Sequence, residues 1–464
     1  MNMKKDLTRD LTVGTPWKKI AVFTIPILIG NIFQQFYNMA DTIIVGNTLG
    51  AHALGAVGLT GCLTFLIIGF CNGLTAGFAV PIAQEFGAKD YARMRHYVGL
   101  AVIWCAVITV VMTTLASVFV WPLLRLMQTP ADLIEDSYAY ISVIFFGIGA
   151  TILYNMSAGV LRSVGDSRTP LYFLIFASVV NIVVDFLFIS VFHMGVRGAA
   201  YATVMSQGMS GILCVLFIIR RFPILHLKRE DFDIDWNMSR RMFGIGLPMA
   251  FQFSVTAIGS VILQRTVNDF GSDVVSAYSA ANKVENLMVQ SFQTLGTAMA
   301  TYCAQNRGAQ DYRRIYTGVR SAFVMTTILS VFSALLNFAF GPAILRLFAP
   351  DMNEVIMRHA RVYLIYMACG YWGFALLFLY RNVLQGLGRS VFPFFGGVLE
   401  FVLRLFLCIM ALNVPWDAWS RYNIVCFASP SAWVLAAVFL FVRYRFYVKE
   451  MRPLMEKQTR VVPE

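Results

Sequence analysis

The sequence predicts an all-α membrane protein with twelve transmembrane helices, arranged as two six-helix lobes related by a pseudo-two-fold along the membrane normal. Three observations carry that expectation. The 464 residues are 58% hydrophobic and only 13% charged, with a mean hydropathy of +0.66. Apolar runs of about 20 residues, each enough to cross a hydrocarbon core of roughly 30 Å, recur along the whole chain. Nine residues are nearly repeated, AQEFGAKDY at 83–91 and AQNRGAQDY at 304–312.

The spans read in order as roughly 17–45, 54–83, 97–121, 133–157, 170–192, 198–219, 242–265, 274–304, 318–341, 360–380, 391–412 and 422–443. The apolar stretch after Trp17 is too long for a signal-peptide core, and no small-residue cleavage site follows it, so it is expected to act as a signal anchor. The organisation expected is an N-lobe at 1–219, a charged cytoplasmic linker at 220–241, and a C-lobe with a cytoplasmic tail at 242–464.

Charge distribution orients the spans. The formal net charge of +12 would suit a nucleic-acid binder, but its placement argues otherwise. Of 37 Lys and Arg, 28 fall in the two tails and alternate connectors, seven in the other connectors, and two within spans. That alternation is the positive-inside pattern for twelve crossings with both termini cytoplasmic. The eight cysteines lie almost all within spans and form no CxxC, which favours packing over metal or redox use.

The repeat is longer than nine residues. Pro26 in PILIGNIF pairs with Pro248 in LPMAFQF, and GVLRSVGDSRTP (159–170) pairs with NVLQGLGRSVFP (382–393). Six spans per half is an even number, so both halves start on the same side and the repeat is parallel. Pro26 and Pro248 each remove a backbone hydrogen bond within the first helix of a half and are candidate hinges. Gly69, Gly73 and Gly77 put three glycines on one face of the second span, where another helix can approach closely.

Six charges fall within the expected spans: Asp41, Asp185, Lys283, Glu285, Glu400 and Arg404. Intramembrane charge is costly, so each is a functional candidate. Asn31, Gln34, Asn38 and Asp41 are spaced by three, four and three, a polar stripe that should face a water-filled cavity. Asp41 is expected about one turn from the outer end. Asn181 and Asp185 share a face of the fifth span, and Thr203 on the sixth lies at similar depth. Two carboxylates, an amide and a hydroxyl at one depth make a site for H⁺ or Na⁺. Glu400 and Arg404, at i and i+4 with the acid first, read as a structural ion pair. Lys283 and Glu285 are two residues apart and do not face each other.

No HExxH, Walker A or nucleophile elbow is present, so no enzyme, zinc site or ATP-driven pump is expected. Transport would run on an ion gradient or be passive. One charge moving across 100 mV supplies about 2.3 kcal/mol, which sustains roughly a 40-fold substrate gradient.

The segments GNIFQQFYNMADTIIVGNTLGAHALGAVG, AQEFGAKDYARMR, GVLRSVGDSRTP, AAYATVMSQ, AQNRGAQDYRR and NVLQGLGRSVFP resemble the multidrug and toxic compound extrusion (MATE) family, over both lobes. The resemblance implies a V-shaped pair of six-helix bundles in the plasma (inner) membrane. It implies export of organic, often cationic or amphipathic compounds in exchange for H⁺ or Na⁺. Members with an N-lobe cation site pair an aspartate on the first helix with Asn–x3–Asp on the fifth, a pattern that Asp41, Asn181 and Asp185 match. A threonine on the sixth and an asparagine on the fourth match Thr203 and Asn155. Where other members place sodium-binding acids on the seventh and tenth helices, this chain has Gln252 and no acid, so no metal is expected beyond Na⁺ at the N-lobe residues. No cofactor is implied, and a monomer in the bilayer with small organic substrates and no nucleic acid is expected. The alternative is a lipid-linked oligosaccharide flippase of the same broader superfamily, disfavoured by the few cations within the spans. An intramembrane enzyme would need a clustered nucleophile and base, which is not seen.

Overall fold

Apolar windows become helices wherever the bilayer leaves the backbone no other partner, and the computed structural model is helical nearly throughout. It describes residues 10–127, 129–348 and 353–461; Lys4, Lys5 and Arg9 of the basic N-terminal tail lie outside them. Span 1 is Pro16–Gly50 and span 2 His52–Gly87. Span 3 is Tyr91–Leu126, and span 4 is a pair, Ile134–Phe146 and Ile148–Ser163, bent by 44°. Span 5 runs Arg168–Val191, closing in a π-helical turn from Leu187, and span 6 is Val196–Arg221. Spans 7 to 12 are Trp236–Asn268, Ser272–Gly308, Tyr312–Phe348, Glu354–Gly386, Val391–Asn413 and Ala418–Val461.

Most helices outrun the apolar windows that announce them. Span 10 reaches Gly386 rather than residue 380, and span 1 reaches Gly50 rather than residue 45. The extra turns carry polar residues, Asn47 and Thr48 in span 1 and Arg381, Asn382 and Gln385 in span 10. Asp41 sits nine residues before the end of span 1, about 13 Å along the helix. One consequence corrects the sequence reading. Arg381, which seemed to end span 10, lies within it.

Among the described residues, ten helices are long and apolar enough to cross a membrane, and the bent pair would add another. Span 8 has the length, at 37 residues, but not the apolar composition.

The duplication is visible as duplicated turns. Asp90 caps span 3 by accepting from Arg93 N at 3.0 Å, and Asp311 does the same for Arg314 N at 2.9 Å. Just before each cap, Lys89 (φ 61°) and Gln310 (φ 58°) take the left-handed conformation that closes the preceding helix. Gly165 and Gly388 end spans 4 and 10 at φ 86° and 70°. Gly50 (φ 86°, ψ 179°) and Gly271 (φ 92°, ψ 172°) occupy equivalent kinks, a backbone region open almost solely to glycine.

The chain divides into two compact units. The first holds residues 25–250 and the second holds 12–24 with 251–464. Pro26 and Pro248 thus stand within two residues of the points where the chain passes from one unit to the other. Both helices run on through their prolines.

In the first unit, Phe78, Ile82, Tyr97, Phe145 and Ile152 of spans 2, 3 and 4 form the core, joined by Met242 of span 7. The glycine stripe works there by close approach. A Cβ on Gly77 would lie 2.3 Å from Gly246 Cα, and one on Gly73 2.6 Å from Met249 O. The connector between spans 6 and 7 narrows to residues 222–235 and is seated, not loose. Phe222 and Leu225 are buried in the same core, Asp231 O rests on Gly99, and Arg241 reaches Gln84 and Glu85 at 2.6 and 3.2 Å.

Candidate functional site

In the first unit the polar stripe of span 1 meets spans 4, 5 and 6. The carboxyl groups of Asp41 and Asp185 lie close enough to interact directly. Asn181, one turn before Asp185, is fully buried, as is Asp185. Both polar atoms of the Asn181 amide, both Asp185 oxygens and Asp41 Oδ1 are buried without a hydrogen-bond donor or acceptor among the described residues. Helix geometry explains the cluster: i and i+4 on span 5 share a face, and Asp41 closes the stripe on span 1 at the same depth. Buried polar groups are nearly always satisfied, so five orphaned atoms in one cluster mark a place built for something that enters and leaves.

A chain of polar side chains leads away from the pair. The Tyr37 hydroxyl reaches Gln34 and Gln207, and lies in the electrostatic field of both aspartates. Thr151 donates to Gln207 Oε1. Asn155 donates to Thr151 O at 2.9 Å and to Asn72 Oδ1 on span 2 at 2.8 Å. Tyr140 lies within the field of Asp41, Tyr37 and Asp185. Asn155 is therefore held by spans 2 and 4, and among the described residues no hydrogen bond joins it or Thr203 to the aspartates. Asn31 is half-buried and Asn38 exposed on the same helix. Tyr37, Gln207, Thr151 and Asn72 were not singled out from sequence. Tyr37 had a signal: it lies three residues after Gln34 and four before Asp41, on the face of the stripe.

The second unit holds its own buried charges at other positions. Glu400 lies 3.6 Å from Arg404 on its own helix and also pairs with Arg381 on span 10. The expected two-residue pair is thus a triad, and Arg381 was missed because its charge was read as the end of a span. Arg381, Glu400 and Arg404 side chains are all under 10% exposed. Gln252 is buried beside them, 2.9 Å from Gln385 Nε2, and the amide orientation that turns its oxygen to Arg381 accepts from Nε and Nη1 at 3.0 and 3.2 Å. Glu285 is buried on span 8, near enough to Arg404 to feel its charge, and accepts from the Tyr363 hydroxyl at 2.5 Å. Tyr278 packs edge-on against Tyr363, with ring centroids 5.1 Å apart. Isoleucine 262 and Leu407 stand about where the repeat would place partners for Asp41 and Asp185.

Long apolar helices, a duplicated plan and acids buried at mid-span define a polytopic membrane protein of the transporter class. The chain belongs to the MatE family, whose model matches residues 26–187 and 248–410. It is 29% identical over 88% of its length to "Probable multidrug resistance protein YpnP" of Bacillus subtilis (strain 168), covering 89% of that protein. It is 27% identical to "Probable multidrug resistance protein YoeA" of the same organism, over 96% of each chain. Among solved structures, it resembles one described as the outward-facing conformation of a multidrug resistance MATE family transporter, with a TM-score of 0.89 at 21% identity, covering 97% of this chain and 99% of that one. The fold is accordingly the family's twelve-helix, two-lobe membrane fold.

Proposed function

We propose that the chain is a secondary active exporter of organic, often cationic or amphipathic compounds, driven by inward movement of H⁺ or Na⁺ through the Asp41–Asp185 site, in the plasma membrane with both termini cytoplasmic. One observation carries the reading: two carboxyl groups on long apolar helices face each other, and three of their four oxygens are buried with no donor. Two facing carboxylates repel strongly where the dielectric is low. A proton shared between them, or a cation bound by them, turns that repulsion into attraction. The orphaned amide of Asn181 supplies a further oxygen ligand or a donor. The names of the relatives, multidrug resistance proteins, support export of drug-like solutes.

Loading the pair changes the charge on span 1, and Pro26 gives that helix a place to bend. The two states differ in what they hold, which is the differential affinity that any coupled carrier needs. Thr203 is assigned to the site by depth and resemblance, and Asn155 by resemblance, acting through Thr151 and Gln207. Asn31, Gln34 and Asn38 line the approach, and Gln252 fixes Arg381 in the second unit.

The test is efflux of a fluorescent cationic dye from proteoliposomes, with pH and Na⁺ gradients imposed separately. Efflux driven by one gradient and abolished by its collapse is expected. Efflux indifferent to both would overturn the proposal.

A further inference from the structure

Span 8 presents to its surroundings a face that no hydrocarbon would solvate. Ser276, Ser279, Lys283, Asn286, Gln290 and Gln293 are spaced by three, four, three, four and three, and so stand in one row along the helix. Ser276, Ser279, Lys283 and Asn286 are exposed, and Gln290 and Gln293 partly so. The opposite side of the same helix is packed: Tyr278, Val284, Glu285, Val289 and Phe292 are buried. Exposed faces elsewhere in the second unit are of the other kind. Span 9 shows Val324, Ile328, Val331, Phe332, Leu335 and Phe338, a surface suited to lipid chains. Among the described helices of at least 18 residues, span 8 alone lacks an apolar window of membrane length, and this row is the reason.

Lys283 lies eleven residues from the start of span 8, about 16 Å along the axis. That is too far for its side chain to reach the end of the helix. Among the described residues no carboxylate pairs with it. Glu285, two residues on, points into the unit and is taken by Tyr363. An unpaired cation well inside a long helix, on a polar and exposed row, is placed to receive a counter-charge from outside the unit. The side chains around it, two serines and three amides, offer hydrogen-bond donors in line with the ammonium. That set complements a carboxylate or another anionic oxygen group.

We infer that the row on span 8 is a substrate-contacting surface on which Lys283 recognises an anionic oxygen group of the exported solute. The inference rests on the export reading and extends its substrate class. A solute carrying both a cationic and a carboxylate group is a better substrate than the same scaffold with the carboxylate masked.

Rhodamine 110, a zwitterion with a free carboxylate, and rhodamine 123, its cationic methyl ester, differ at that one group. Proteoliposomes holding the full chain are loaded with each dye, and KM and maximal rate are measured under the driving gradient. The wild type is expected to export both, with the lower KM for rhodamine 110. Lys283→Gln should raise KM for rhodamine 110 about tenfold, the scale of a lost charge-assisted hydrogen bond, and leave that for rhodamine 123 within about twofold. Lys283→Arg should keep the preference. Should Lys283→Gln not insert, the wild-type preference decides the matter through competition of each dye against export of the other. Export of rhodamine 123 alone, or an equal effect of Lys283→Gln on both dyes, overturns the inference and leaves the export reading standing. Export of neither dye overturns both.

Discussion

Asp41 and Asp185 bring their carboxyl groups together from spans 1 and 5 with no donor between them. A pair so placed is incomplete without a proton or a cation, and completing it is the step at which ion movement can be tied to a change in the helices. Asp41→Asn and Asp185→Asn each put a permanent donor where the missing one should come and go. Each should abolish gradient-driven accumulation, which falls from about 40-fold per 100 mV toward unity. Dye export by the two variants, measured against an imposed gradient in vesicles, checks this; undiminished accumulation in both would refute it.

Glu400 carries a different kind of load. It is the one carboxylate shared by Arg381 and Arg404, all three buried. Glu400→Gln leaves two arginines facing each other and should cost roughly 3–5 kcal/mol, the usual result of stripping one partner from a buried pair. Arg381→Gln in the same background should recover part of that loss. Thermal unfolding of the detergent-solubilised protein provides the comparison, and additive losses in the double variant would mean that the arginines do not share the acid.

The glycine row on span 2 gives a contrast within one helix. Gly77→Ala drives a Cβ to 2.3 Å from Gly246 Cα, and overpacking against backbone costs roughly 1–3 kcal/mol. Gly61→Ala on the same helix meets nothing within 4 Å and should stabilise it by up to about 1 kcal/mol. Unfolding temperatures that move in opposite directions are expected.

Asp235, in the connector, starts span 7. The amides of Met238 and Asn237 hold its carboxyl below the usual range. A carboxyl depressed in the folded state contributes stability above its unfolded value of about 3.9, and that contribution is lost as pH falls through the lower folded value. Amide exchange at Asn237 and Met238, referred to intrinsic rates, should therefore speed up on acidification into that window. Asp235→Ala should exchange fast at every pH; slow exchange at neutral pH in that variant would remove the carboxyl from the capping role.

The twelve spans and their pairing into halves were legible because hydrocarbon demands apolar residues in long runs, and because duplicated turns keep duplicated residues. Helix ends were not, since a helix emerging from lipid no longer needs apolar side chains. That single limit hid Arg381. Asn181 and Asp185 could be placed on one face from spacing alone, and the meeting of Asp41 with Asp185 follows from their depths. Tyr37 stayed hidden because tyrosine counts as an apolar residue in a membrane helix, and its hydroxyl matters only once Gln34 and Gln207 are seen beside it. Glu285 and Lys283 were visible as charges, but the division of span 8 into a packed side and a wet side needs the neighbours.

Residues 12–24 complete the second unit and residues 236–250 complete the first. Neither half of the polypeptide is therefore a whole unit. On the ribosome, the glycine row at Gly73 and Gly77 must wait for span 7, more than 150 residues behind, before it has anything to pack against. The first unit stays open until residues 236–250 arrive, and a nascent chain released near residue 221 would carry an unfilled seam that quality control can recognise.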